Sequence, residues 1–264
     1  MSAELSTVQV DDLSIAYRQS GTGPALVALH GFLCDSRCWR RQLADLSDEI
    51  TVIAWDAPGA GSSSDPPEPF ALSDWTDCLA KFLDRLGIDT AHFLGLSWGG
   101  VLAQDFYRLY PTRVSRVILA DTYAGWKGSL PAAAVTQRLA RCESESNLPP
   151  HEFVPKWVPE MFTESASPDL LQEMSQIFAD FHPPGFRLMA RSLAETDTTG
   201  LLPRIAAPTL LIWGDDDRRS PIQIARQLYQ QIPNAQLEVI QHAGHVSNME
   251  QPDEFNVHVR RFLQ

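Results

Sequence analysis

Gly95-Leu96-Ser97-Trp98-Gly99-Gly100 decides the fold. It closes a short apolar run, Ala91 to Leu96, and leads into a helix-compatible stretch, Gly99 to Tyr110, stopped before Pro111. The pattern is G-x-S-x-G in a strand–turn–helix setting. A chain that turns from strand to helix this tightly holds its central residue in a strained conformation, and side chains at the two glycine positions would clash. The serine hydroxyl then projects at a helix N-terminus, where backbone N–H groups and the helix dipole favour developing negative charge. Outside that setting the same letters describe a glycine-rich turn with an incidental serine.

Working outward, short apolar runs alternate with helical patterns. Ser6 to Val10 and Leu13 to Arg18 read as an opening pair of strands turned at Asp11-Asp12, followed by strands at Ala25 to His30, Ile50 to Asp56 and Val114 to Asp121. Leu72, Trp75, Leu79, Phe82, Leu83 and Leu86 fall near one helical face. From Tyr123 to Leu202 the pattern is mostly helical, punctuated by prolines and rich in large apolar groups. Alternation then resumes with a strand at Thr209 to Trp213, a helix at Ile222 to Gln231, a strand at Gln236 to Ile240 and a helix at Glu254 to Phe262. Repeated strand–helix–strand units with buried strands predict an α/β fold, a mostly parallel, doubly wound sheet. Residues 1–122 and 203–264 are expected to form its core, with 123–202 as an inserted helical cap over the C-terminal ends of the strands, where ligands bind in such sheets.

A serine hydroxyl needs a general base. His242 and His245 both follow the strand Gln236 to Ile240, on the sheet edge that carries Ser97. His245 is the stronger candidate, and His242 reads as a loop histidine near the entrance. The base needs an orienting acid. Asp215, Asp216 and Asp217 follow the strand Thr209 to Trp213; Asp217 is preferred over Asp216, with Asp121, at the end of the preceding strand, as the topological alternative. The order Ser97, Asp217, His245 fits a nucleophile elbow. The oxyanion donors expected are the backbone N–H groups of Trp98 and of Phe32, in the loop His30-Gly31-Phe32. His30 itself reads as structural.

The chain resembles the α/β-hydrolase fold superfamily, in its serine-nucleophile branch with a helical cap. The resemblance rests on His30-Gly31-Phe32, Asp56-Ala57-Pro58-Gly59-Ala60-Gly61-Ser62, Gly95 to Gly100, Gly214-Asp215-Asp216-Asp217 with Pro221, and Gly244-His245 with Glu250, Pro252 and Phe255. In that family the acid stands three residues after the glycine, which selects Asp217. The stretch Val117 to Tyr123 looks like enol-lactonases and small esterases, and Ser97 to Gly100 also looks like intracellular polyhydroxyalkanoate depolymerases. A serine nucleophile separates the chain from haloalkane dehalogenases and epoxide hydrolases. The resemblance implies a serine hydrolase for a carboxylic ester or lactone, working through an acyl-enzyme with no metal and no organic cofactor. The insert's aromatic content predicts an apolar pocket with Trp126, Trp157 and Phe181 as substrate-binding residues. Three other functions stay open. One is a meta-cleavage type carbon–carbon hydrolase with Arg187 or Arg191 on a substrate carboxylate. The others are a cofactor-free perhydrolase or haloperoxidase, and a ligand-binding protein without turnover.

Composition bounds the partners. Lys and Arg number 21 against 33 Asp and Glu, a net charge of −12 over 264 residues, which argues against nucleic acid. No apolar run of about 18 residues predicts a membrane span. Met1 to Asp12 lacks the basic and apolar regions of a secretory signal. Cys34, Cys38, Cys78 and Cys142 read as free thiols, so the expected compartment is cytoplasmic. The partner expected is a small-molecule substrate, with a homo-oligomer left open.

Overall fold

The computed structural model describes residues 3–264; Met1 and Ser2, which open the expected core segment, lie outside the described residues. Eight strands form one sheet: β1 (Leu5–Val10), β2 (Leu13–Ser20), β3 (Ala25–Leu29), β4 (Thr51–Trp55), β5 (Ala91–Leu96), β6 (Val114–Ala120), β7 (Thr209–Gly214) and β8 (Gln236–Ile240). Their order across the sheet is β1-β2-β4-β3-β5-β6-β7-β8. β1 and β2 pair antiparallel, as do β2 and β4, and every other neighbouring pair is parallel. The helices of the first half are α1 (Arg40–Asp45), α2 (Leu72–Arg85) and α3 (Trp98–Leu109).

The reason for the layering is in the side chains. β3, β5, β6 and β7 are buried over almost their whole length, as strands covered on both faces must be. α2 turns Trp75, Leu79, Phe82 and Leu83 inward. α3 begins one residue earlier than the periodicity suggests, at Trp98, because the turn at Ser97 completes the reversal without a spacer.

Five helices lie between β6 and β7: α4 (Trp126–Ser129), α5 (Ala132–Glu145), α6 (Pro150–Trp157), α7 (Pro168–Ala179) and α8 (Pro183–Glu195). Proline stands in the first turn of α6, α7 and α8, where its missing N–H costs no intrahelical bond. This segment meets the rest of the chain closely. The Gly185 Cα is packed on the Gly59 backbone, and a β-carbon at either would run into the other. His182 Nδ1 lies 2.6 Å from Asp65 Oδ1, tying the start of α8 to the loop after β4. The chain ends with α9 (Ile222–Gln231), then α10 (Ser247–Glu250), which periodicity missed because it is a single turn, and α11 (Pro252–Leu263). No helix among the described residues is long and apolar enough to cross a membrane.

Candidate active site

Ser97 is held at φ 51° and ψ −113°, in the positive-φ region that costs a non-glycine residue about 1–3 kcal/mol. The flanking glycines explain how the turn closes: a β-carbon on Gly95 would strike the Gly99 carbonyl, and one on Gly99 would strike the Leu29 carbonyl. The Ser97 N–H donates to the Ala120 carbonyl at 2.9 Å, and the Thr122 hydroxyl donates to the Ser97 carbonyl, pinning the elbow to the end of β6.

The loops after β7 and β8 bring the other candidates to this point. His245 Nε2 lies 2.9 Å from Ser97 Oγ, and His245 Nδ1 lies 2.8 Å from Asp217 Oδ2 and 3.0 Å from Oδ1. Ser97, His245 and Asp217 are all buried, 2%, 3% and 4% exposed. Asp217 Oδ1 also accepts the backbone N–H groups of Arg219 and Ser220, each at 2.8 Å. Those bonds fix the carboxylate, the carboxylate fixes the Nδ1–H tautomer, and Nε2 then faces the hydroxyl as an acceptor. An imidazole so placed can take a proton from the serine and return it to a leaving group.

The three neighbouring aspartates separate cleanly. The Asp215 carboxylate accepts the Ala243 N–H at 3.3 Å, Asp216 pairs with Arg218 at 3.1 Å, and only Asp217 meets the imidazole. Asp121, the topological alternative, is fully buried but serves the loops instead. It accepts the Gly214 N–H at 2.8 Å and the Ser247 hydroxyl at 2.6 Å. Burial, then the nearby Asp217 charge, pushes the Asp121 carboxyl well above the ordinary range. His242 is exposed, and its carbonyl accepts the Gln251 side chain.

Trp98 follows Ser97 in the elbow, and Phe32 lies in the loop after β3. The Trp98 N–H is the first of α3, so it has no partner within the helix. Gly31 places its own missing β-carbon 3.3 Å from Ser97 Cβ, so the Phe32 loop runs against the serine. His30 is structural: its Nε2 accepts the Ala57 N–H at 3.0 Å and its Nδ1 donates to the Gly31 carbonyl at 2.8 Å. Burial holds its pKa below the ordinary value, against the opposing pull of the Gly31 carbonyl and the Asp56 and Asp35 charges.

Trp126 and Trp157 are buried edge-on to the Phe32 ring, with centroids 6.1 and 6.0 Å away. Phe181 stands one layer further out, stacked on Phe153 at 4.4 Å. Arg187 and Arg191 lie elsewhere: Arg187 donates to the Ser146 hydroxyl, and Arg191, 45% exposed, pairs with Glu143. Sequence reasoning gave no role to three supports, although Glu250 stands in the motif that follows His245. Tyr123 donates its hydroxyl to the Arg219 carbonyl at 2.5 Å, with its ring 6.4 Å from that of His245. Glu250 accepts the Gly244 N–H at 2.8 Å and the Thr163 N–H at 3.0 Å, joining the histidine loop to the segment between β6 and β7. Arg219 buries its guanidinium against Phe32 and Trp157. The four cysteines are free and buried, and burial pushes the Cys78 and Cys142 thiols up to about 12.

A fold of this topology with this elbow defines an α/β hydrolase. Residues 26–257 match the alpha/beta hydrolase family, and the chain belongs to it. It is 31% identical to 3-oxoadipate enol-lactonase 2 of Acinetobacter baylyi, over 95% of this chain and 93% of that one. It is 32% identical to 2-hydroxy-6-oxononadienedioate/2-hydroxy-6-oxononatrienedioate hydrolase of Burkholderia vietnamiensis, over 96% and 92%. Among solved structures, a malate-bound thermophilic esterase from Thermogutta terrifontis superposes with a TM-score of 0.90 at 30% identity, covering 99% of this chain and 98% of that one. The chain is a hydrolase that resembles the enol-lactonases and esterases of this family.

Proposed function

We propose that the protein hydrolyses a carboxylic ester or lactone through an acyl-enzyme on Ser97. The observation that carries this reading is the unbroken hydrogen-bonded line from Asp217 through His245 to Ser97 Oγ. Ser97 Oγ attacks the carbonyl carbon as His245 Nε2 accepts its proton. The negative charge that gathers on the carbonyl oxygen is received by the Phe32 and Trp98 N–H groups, each worth about 3 kcal/mol when well placed. His245 then protonates the leaving oxygen, and water activated by the same imidazole releases the acid. Residues 123–202 act as the cap, closing an aromatic chamber over Ser97, with Trp126 and Trp157 against the substrate and Phe181 behind them. The relatives named as an enol-lactonase and an esterase support the substrate class.

The test is turnover of a panel containing p-nitrophenyl esters of increasing acyl length, lactones and vinylogous diketones. The proposal expects ester or lactone hydrolysis that falls about 10⁵- to 10⁶-fold in kcat in Ser97→Ala, at unchanged thermal stability. Turnover confined to the diketones would move the reaction to carbon–carbon cleavage, the activity the Burkholderia vietnamiensis relative's name carries. Ester turnover that survives Ser97→Ala would end the acyl-enzyme reading.

A further inference from the structure

Behind the site, one short segment reaches all three of the loops that carry it. Asp121 and Thr122 follow β6, and both are fully buried. Asp121 is held at φ 46°, a conformation that a non-glycine residue keeps only where its surroundings impose it. Hydrogen bonds impose it here. The Asp121 N–H donates to the Ile212 carbonyl in β7 at 3.1 Å. The Thr122 hydroxyl donates to the Ser97 carbonyl, and the Thr122 carbonyl accepts the Ser220 hydroxyl at 2.5 Å. Ser220 is one of the two residues whose N–H groups brace Asp217.

The Asp121 carboxyl spans the acid and histidine loops by itself. Oδ1 accepts the N–H of Gly214, where β7 ends and the Asp217 loop begins, at 2.8 Å. Oδ2 accepts the N–H of Ser247, just past His245, at 3.2 Å and its hydroxyl at 2.6 Å. The two loops also touch where the carboxyl holds them: a β-carbon on Gly214 would strike the Ala243 and Gly244 carbonyls. A displacement of Gly214 is therefore passed to the residue before His245. Removing the carboxyl would take the acceptor from two buried N–H groups, those of Gly214 and Ser247, and a buried donor left unpaired is costly enough to move the backbone that carries it. Gly214 and Ser247 are the side chain's only hydrogen-bond partners among the described residues, so no lysine or arginine offsets a charge there. Burial, then the Asp217 charge, holds the carboxyl above the ordinary range. What Asp121 offers the loops is hydrogen-bonding shape rather than charge.

We propose that Asp121 is a positioning residue for the hydrolytic site: its two carboxyl oxygens set the spacing of the loops that carry Asp217 and His245, and through them the reach of His245 Nε2 to Ser97. The proposal rests on the acyl-enzyme reading above. Asp121→Ala removes both contacts. With p-nitrophenyl butyrate it is expected to lower kcat about 10- to 100-fold while KM stays within about twofold, the mark of misplaced reacting groups rather than lost binding. Asp121→Asn keeps the shape, an acceptor for the Gly214 N–H and a donor for the Ser247 hydroxyl, and should retain about a third or more of the native kcat. A brace with no part in positioning would lower the melting temperature and leave kcat of the folded enzyme intact; that result overturns the proposal, as does an asparagine variant as impaired as the alanine one. If Asp121→Ala does not fold, Ser247→Ala carries the test, since it deletes only the hydroxyl contact beside His245. It should lower kcat about 3- to 10-fold at unchanged KM, and an unchanged kcat overturns the proposal. A second measurement needs no ester turnover: the rate at which a fluorophosphonate labels Ser97, expected to fall in step with kcat across these variants. Labelling that follows Asp121 in a chain that hydrolyses no ester or lactone would keep the positioning role and remove the ester-or-lactone reading; ester turnover and labelling both indifferent to Asp121 would do the reverse.

Discussion

On the sheet side of the site, Ser97, His245 and Asp217 give every side-chain polar atom a partner, and backbone N–H groups brace the acid. On the facing side, around Phe32, the indole N–H groups of Trp126 and Trp157 and the Nε–H of Arg219 have none. The two surfaces are built from different material. The first sits on strand ends that eight paired strands hold in place. The second comes largely from helices threaded between β6 and β7 and closes by ring-on-ring contact, as in the stack of Phe32 on Phe186 at 5.3 Å. The difference teaches that Ser97, His245 and Asp217 are fully partnered within the chain, whereas the aromatic surface facing them leaves buried donors without a protein acceptor.

The sharpest way to break this comparison is Asp217→Asn. The amide keeps an acceptor for the Arg219 and Ser220 N–H groups but no longer fixes the imidazole tautomer. A fall of about 10⁴-fold in kcat with little change in melting temperature is expected. A loss below tenfold would mean that His245 is oriented by something else. Next in size is Gly185→Ala, whose β-carbon meets the Gly59 carbonyl. Overpacking there should lower stability by about 1–3 kcal/mol in denaturant unfolding and loosen the helical segment from the sheet. Unchanged stability would show that the contact yields freely.

The smallest expected effect concerns pH. The folded pKa of His30 lies below the unfolded value of 6.5. The unfolded chain therefore takes up the proton first as pH falls. The stabilising contribution of neutral His30 is complete above about 6.5 and is lost as pH drops from there towards the lowered folded value. His92 shifts the same way through burial and the Arg116 charge, but it is common to both proteins in the comparison. Unfolding of the native chain and of His30→Asn at about pH 7.5 and about pH 5.5 isolates the effect. The difference between them should narrow at the lower pH, and a constant difference would contradict the assignment.

The sheet and the elbow were legible because their causes are local. A strand-to-helix reversal demands glycine at Gly95 and Gly99, and buried parallel strands demand unbroken apolar runs. The order of serine, acid and histidine followed from topology. Choosing among Asp215, Asp216 and Asp217 was harder, since the three are chemically identical and only the turn after Gly214 sends one inward. The facing surface was largely illegible. Arg219 meets Glu160 across 59 residues of sequence, and nothing in Asp217-Arg218-Arg219 says which arginine is buried. Arg187 and Arg191 carry the same charge on α8 but are turned to Ser146 and Glu143. Helical periodicity gives the apolar face of such segments, not the partner it meets across the fold.

The central claim is that the reacting groups are assembled before any substrate arrives. Intact mass after incubation with a fluorophosphonate tests it most directly, because the reagent needs an activated serine and little else. The account predicts a single adduct on the native chain, absent in Ser97→Ala and strongly slowed in His245→Ala. A folded native chain that takes up no label, or one that labels equally well without Ser97, would contradict it.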